Sequence, residues 1–371
     1  MLNFSSDMRS FIISISCMLL ISLSVTCCKR LSEQESVLNE FEKATALSPV
    51  DSTCLDAFDI AMPTGIIAHD NWYIVEKSDS DNAVDIINPE TKEKIECFRR
   101  GRGPNEVMTT GHIQIYNGDL YLFDITRQIL YSLDLEKTIR DKRQSIDDRI
   151  SIQSNFSENI DGRLFSVYKT ENYIITAALF SDGTWYGALD NDGNIKGRVP
   201  VENFKSTEAL STLERSSLFI SSLFSVRPDG KAGVCSSQCG GLFSIFDVKT
   251  DGIQEIRRRV FFEPKVSPSN VERMISPRHS PDDVRGFCDV DSDQQYIYLL
   301  FSGKELSDFD DPSFLCNHLL VYDWDGNPVR RYELEKAIHS IYLKDGKIYG
   351  CSMHPESRIY VYELAGTEYS R

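Results

Sequence analysis

From Thr53 onward the chain is built of short stretches in which apolar and polar residues alternate, interrupted by Gly, Asp and Asn turn signals. Alternation of this kind puts every second side chain on one face and predicts strands, and few stretches carry helical spacing. Apolar runs recur as Trp72-Tyr73-Ile74-Val75, Leu120-Tyr121-Leu122-Phe123, Tyr173-Ile174-Ile175, Lys231-Ala232-Gly233-Val234, Tyr296-Ile297-Tyr298-Leu299 and Lys347-Ile348-Tyr349. Marks at residues 73, 121, 174, 233, 298 and 349 are separated by 48, 53, 59, 65 and 51 positions. A period near 50 with about four strands per unit is the signature of a propeller blade. The pattern predicts an all-β, six-bladed β-propeller of four-stranded antiparallel blades. The last unit shows only three strands, near 338–343, 347–351 and 358–363, so an N-terminal strand within Thr53 to Ile60 is expected to close the ring.

An antiparallel meander sends alternate connections to opposite ends. The first-to-second and third-to-fourth turns therefore share one face, and here they are tight: Asn117-Gly118, Asp192-Gly193, Pro228-Asp229-Gly230, Asp325-Gly326 and Asp345-Gly346. The other face receives the long connections, near 99–111, 136–162, 198–222, 257–286 and 302–317. Long loops gathered at one end of a rigid scaffold are where binding is expected.

The N-terminus reads differently. Phe11 to Val25 is fifteen residues without a charge, shorter than the roughly 20 a membrane-spanning helix needs. It fits the apolar region of a signal peptide over residues 1–27. Leu23-Ser24-Val25-Thr26-Cys27-Cys28 resembles a bacterial lipobox, with Cys28 as the lipid-modified residue and Cys27 as the alternative. Residues 28–52 are polar, with a weakly helical stretch and no strand pattern, and are expected to form the anchor cysteine and a tether. Residues 53–371 then form a single propeller domain.

Charge and composition narrow the function. The chain carries 40 Lys and Arg against 56 Asp and Glu, a net charge of −16, which disfavours nucleic acid as a partner. An apolar fraction of 41% supports a buried core. The four blade crossings nevertheless carry a net +4, so the long-loop face is the less acidic one.

Candidate chemistry is sparse. Arg99, Arg100 and Arg102 flank Gly101, Gly103 and Pro104, and Arg278 and Arg285 lie in the crossing at 257–286. Guanidinium forks suit carboxylate or phosphate, so these five arginines are the candidate ligand-binding residues; the competing expectation for the first three is a structural corner in which Glu106 pairs an arginine. Asp289-x-Asp291-x-Asp293 begins like a calcium loop, but Gln294 and Leu300 stand where Gly and Glu are needed, so a hairpin is expected. Asp308, Asp310 and Asp311 are read as a solvated acidic loop. Cys235-x3-Cys239 lacks a second ligand pair, and the six histidines show no metal-binding spacing. No Gly-x-Ser-x-Gly elbow occurs. No catalytic residue, metal centre or cofactor is assigned.

Arg100-Gly101-Arg102-Gly103-Pro104-Asn105-Glu106 resembles the Gly-x-Gly-Pro-x-Glu motif of bacterial six-bladed TolB-like β-propeller lipoproteins. Tyr296 to Gly303 and His318 to Pro328 agree with it in order. The resemblance implies a propeller, lipid-anchored in a bacterial cell envelope on the periplasmic or outer-membrane face, with the membrane as a partner through its anchor. It implies no general catalytic assignment. The expected role is binding or scaffolding through the long-loop face, toward a small anionic molecule, a glycan or a partner protein. The alternative is a hydrolase or lyase acting on a glycan or glycan-derived acid, which would need convergent carboxylates in the channel mouth.

Overall fold

The computed structural model describes residues 32–364 apart from 79, 153–162, 269–275 and 308–311. Cys27 and Cys28, the signal segment and the acidic loop at 308–311 lie outside the described residues.

Six blades follow in chain order. Blade 1 comprises Pro63–His69, Trp72–Lys77, Asn82–Ile87 and Lys94–Arg99; blade 2, Thr110–Tyr116, Asp119–Asp124, Ile129–Asp134 and Ile146–Ser151. Blade 3 comprises Leu164–Lys169, Ile174–Ala178, Thr184–Leu189 and Ile195–Pro200; blade 4, Leu223–Val226, Ala232–Ser236, Gly241–Lys249 and Gly252–Phe262. Blade 5 comprises Phe287–Ser292, Tyr296–Phe301, Cys316–Asp323 and Pro328–Ile338; blade 6, Ser340–Lys344, Lys347–Ser352, Arg358–Glu363 and the early strand Asp51–Cys54. The first strand of each blade packs on the first strands of its neighbours, so six strands ring a central channel.

The tight turns do what their residues demand. Asn117-Gly118 and Asp345-Gly346 both hold two successive positive φ values (52° and 88°; 50° and 73°), the backbone of a two-residue turn that matches strand twist. The middle strands read as continuous apolar runs because blades cover them on both faces, as in Ile174–Ala178 and Ala232–Ser236, buried throughout. Between blades 3 and 4, Trp185, Tyr186, Phe219, Phe224 and Phe246 form the aromatic part of a contiguous core. Its polar atoms are satisfied there: Trp185 Nε1 donates to Ser222 Oγ (2.8 Å), and the Tyr186 and Ser244 hydroxyls lie 2.7 Å apart.

The ring closes through an N-terminal strand, shifted slightly from its expected place. Asp51–Cys54 pairs antiparallel with Arg358–Glu363, from Asp51 opposite Val361 to Cys54 opposite Arg358. The chain then turns at Asp56–Phe58, and Leu55, Phe58 and Ile60 plug the seam between blades 6 and 1.

Residues 32–50 correct the tether expectation. Ser32 opens a helix, Glu33–Leu38, through a reciprocal capping box with Glu35. Val37 and Phe41 are buried in the core of blades 4 and 5. Ala44–Leu47 then adds a fifth, parallel strand to blade 5, with Ala44 opposite Arg331 and Leu47 opposite Leu334. Glu40 pairs with Arg259, and Arg331 Nη1 donates to the Leu38 carbonyl at 3.0 Å. The segment reads as polar because it is a strap: Val37, Phe41 and Leu47 are its buried apolar residues, with Leu38 half-buried against the same core. The seven cysteines from Cys54 to Cys351 are free thiols, and all but Cys54 are buried.

Candidate functional site

The channel opens on the long-loop face into a cavity of about 230 Å³. Its walls come from the starts of first strands and from second-to-third loops. Thr64 belongs to blade 1, His112 to blade 2, Gln238 to blade 4, Arg285, Asp289 and Phe314 to blade 5, and His339 and Met353 to blade 6. No pair of these is adjacent in sequence, so only ring closure assembles the site.

Glu76 and Asp289 are buried and Asp291 is half-buried, and each of the three carboxyls is pushed toward its neutral form. Burial raises Glu76 to about 7, against the opposing pull of His112, hydrogen bonds from Thr110 and Thr64, and the charge of Arg100. Asp289 is likewise raised by burial, although His112 and the Ile341 N–H (2.7 Å) favour its anion. Deeper in the channel Asp291 is raised to about 7, while accepting from Leu343 N–H at 2.6 Å and Ser292 N–H at 2.8 Å. Asp289 and Asp291 share a face of one strand because side chains alternate with period two. Asp293, next in that series, lies in the turn and accepts from Gln295 and Tyr296 N–H, as the hairpin reading expects.

Two histidines work differently. His112 faces both Glu76 and Asp289. His339 lies 2.8 Å from the Pro63 carbonyl through Nε2, and burial lowers it to about 4, so at neutral pH it is an uncharged donor there. Its Nδ1 has no partner among the described residues. That nitrogen is a buried acceptor.

Arg285 is held by neutral groups alone. Its Nε donates to Ser313 Oγ (3.1 Å) and its Nη1 to Gln238 Oε1 (2.9 Å). Among the described residues it forms no ion pair, and its Nη2 makes no hydrogen bond. A fixed, uncompensated guanidinium at a cavity mouth is a carboxylate or phosphate receptor in waiting.

The other candidate arginines fall elsewhere. Arg278 is exposed on the short strand pair Val266–Ser267 and Arg278–His279 and lines a separate depression with Lys265 and Ser206. Arg99 and Arg102 are exposed on the first crossing, and Arg99 lies 3.9 Å from Glu106. Arg100 Nη2 donates to the Lys77 carbonyl at 2.5 Å, so it ties the crossing to blade 1. Glu106 accepts from the Gly103 N–H at 2.6 Å, and a Cβ on Gly101 would collide with the Glu106 carboxylate. Arg127 clamps the same corner from below, through the carbonyls of Gly103 (2.9 Å) and Glu106 (2.7 Å). The glycines and Glu106 of this motif therefore build a corner, and Arg285 alone of the five lines the channel cavity.

Sequence reading missed Glu76, His112 and His339, whose only signal is a polar residue at an inward strand position. It also missed the Lys77–Asp85 ion pair (2.5 Å), buried behind Arg100 in blade 1. Among the described residues two groups could offer metal ligands: Cys239, His279 and Asp283, and His69, Asp70 and Glu136, each with ligand atoms within 4.8 Å of one another. The first is already satisfied without an ion, since Asp283 accepts from Lys265 and Val284 N–H and from the His279 ring at 2.7 Å. The second surrounds an exposed surface.

The profile of a family described as TolB-like 6-blade propeller-like matches residues 41–345. Among solved structures, a protein from Bacteroides fragilis NCTC 9343 described as exported superposes with a TM-score of 0.50 at 11% identity, over 83% of this chain and 92% of that one. BamB from Moraxella catarrhalis gives a TM-score of 0.44 at 9% identity, over 86% and 99% of the two chains. The β-propeller domain of Cps50 (Swd1) from Myceliophteria thermophila gives 0.47 at 10% identity, over 86% and 99%. At such identities the likeness speaks to fold alone. No curated relative matches the sequence.

Proposed function

The chain belongs to the TolB-like six-bladed propeller family, and from that premise we propose that it is a lipid-anchored envelope binding protein whose channel mouth takes a small carboxylate-bearing ligand. One observation carries the reading: Arg285 presents an oriented, uncompensated fork at a closed-ring cavity. Around it stand Gln238, His339 and the Asp289 carboxyl, which burial pushes toward its neutral form, and such polar groups match the hydroxyls of a sugar acid. A volume of about 230 Å³ lies below the usual range of drug-sized pockets, so the ligand is one sugar unit or a comparable organic acid. Phosphate-rich nucleic acid does not fit a chain of net charge −16.

A panel of uronic and small organic acids, screened by thermal shift and calorimetry, tests this. Arg285→Ala should lower affinity roughly tenfold to a hundredfold, the equivalent of about 1.5–3 kcal/mol for a charged bidentate contact. Arg285→Lys should fall between, because it keeps charge and loses the fork. Arg100→Ala with Arg102→Ala should leave affinity alone and cost stability through the lost Lys77 contact. Equal binding by wild type and Arg285→Ala would overturn the assignment.

Glu76 and Asp289 facing His112 favour a second reading, a hydrolase or lyase on the same class of acid. Burial that raises Glu76 to about 7 gives it the protonation range of a general acid or base, beside His112 and Thr64, which line the cavity. Turnover by wild type that disappears in Glu76→Gln, with binding retained, would select it.

Envelope anchoring rests on the lipobox-like Cys27-Cys28. Metabolic palmitate labelling of the wild-type protein is expected, and Cys27→Ser with Cys28→Ser should abolish it. Continued labelling of the double variant would remove the anchor assignment.

A further inference from the structure

We infer that the long-loop face, with the channel mouth in it, is held against the anionic surface of the membrane that carries the anchor. The inference rests on the lipid-anchor reading above and adds an orientation to it. Residues expected to be a loose tether are instead a strap with a defined starting point. At its start Glu33 pairs with Lys265 at 3.3 Å, just past the outer strand of blade 4. Gln34 Nε2 lies 3.2 Å from His318 Nε2, and its side chain packs on Gly303. Lys265, Gly303 and His318 all belong to the long-loop end of their blades.

Glu40, midway along the strap, fixes the direction of its first leg. Glu40 pairs with Arg259, whose Nη1 donates at 2.6 Å to the carbonyl of Gly326, in the tight turn at the opposite face. The chain therefore meets the body at the long-loop rim and runs away from it. Four Cα steps separate Cys28 from Ser32, and an extended chain covers at most about 14 Å in that distance. A lipid on Cys28 leaves no length for the opposite face to turn toward the bilayer.

The surface chemistry agrees. Met62, Met108 and Phe314 are exposed by 47%, 37% and 37%, and all three stand on the long-loop face. Lys265, Arg102 and Arg278 lie on the same face, where the four blade crossings carry a net +4. Apolar side chains among cations suit the headgroup region of an anionic leaflet, within a Debye length of its surface.

The test uses the full-length lipidated protein in phosphatidylethanolamine–phosphatidylglycerol vesicles containing nitroxide-labelled lipid. A bimane probe is attached at Met62→Cys or Met108→Cys on one face and at Asp192→Cys on the other, in a Cys54→Ser background. Both long-loop probes should be quenched at least twofold more than the probe at residue 192. Two long-loop positions keep the test readable if one variant fails to fold. Equal or stronger quenching at residue 192 overturns the orientation. Absence of quenching everywhere, with the lipid confirmed by mass spectrometry, also overturns it and gives the face to a partner protein. A wild-type N-terminus without lipid removes the anchor itself, and that failure is separately visible.

Discussion

Deleting residues 29–50 is expected to destabilise the propeller strongly, and deleting 29–62 to abolish cooperative folding. The first deletion strips Val37, Phe41 and Leu47 from the outer flank of blades 4 and 5. Phe41 packs edge-on against Tyr322 (ring centroids 5.3 Å apart), which in turn packs on Phe243 at 4.9 Å. Its loss exposes that aromatic stack, leaves Arg259 without Glu40 and uncovers the edge of Pro328–Ile338. Phe41→Ala alone should cost about 3–5 kcal/mol, the usual range for emptying a buried aromatic site. For a domain of this size that corresponds to a fall of about 5–10 °C in melting temperature. The longer deletion also removes Asp51–Cys54 and the plug of Leu55, Phe58 and Ile60, leaving Arg358–Glu363 as an unpaired edge at an open seam. Circular dichroism melts of the three proteins check the order. A 29–50 deletion that melts within about 2 °C of wild type would return the segment to the status of a tether.

That strap shows where sequence reading stops. The blades are legible because each repeats an alternating pattern between turn residues whose backbone preference is local: Asn117-Gly118 specifies its turn wherever it sits. The strap has no such periodicity. Three inward residues spaced four and six apart, in a helix and then a strand, fit neither template, and Ala44–Leu47 is an outer strand with three of four side chains in solvent. The site divides in the same way. Arg285 is visible as a cation in a long crossing, and Asp289 and Asp291 as an alternating pair. Glu76 and His112 are not, because they stand on different blades and meet only when blade 1 packs on blade 2. Closure is a long-range event that no window of sequence contains. The first crossing illustrates the converse error: its arginines draw attention, while Gly101, Gly103 and Glu106 spend the motif on a corner.

Glu76→Gln and Asp291→Asn are each expected to stabilise the protein at neutral and alkaline pH and to have little effect near pH 4.5. Burial lifts Glu76 from 4.5 to about 7 and Asp291 from 3.8 to about 7. Between the unfolded and folded values the native state holds the proton more tightly than the unfolded chain. The unfolding free energy therefore falls as pH rises from about 4 to about 7, and flattens above. Each group, when ionised, costs the fold a few kcal/mol, at about 1.4 kcal/mol per unit. The amide variants mimic the protonated carboxyls and escape that cost. Gln at residue 76 can still meet Thr64 and Thr110, whereas Asn at residue 291 keeps an oxygen for only one of the Ser292 and Leu343 N–H groups, which meet different carboxylate oxygens, so its gain is the smaller. His339 acts in the opposite sense, since burial lowers it from 6.5 to about 4 and stability from its neutral form is lost as pH falls through that window. Its opposition cancels in the comparison of variant with wild type. The difference in melting temperature should be near zero at pH 4.5, grow through pH 5–7 and level off by pH 8. A difference that stays flat across this range would mean that Glu76 and Asp291 ionise without cost, and would withdraw the raised Glu76 on which the hydrolase or lyase reading depends.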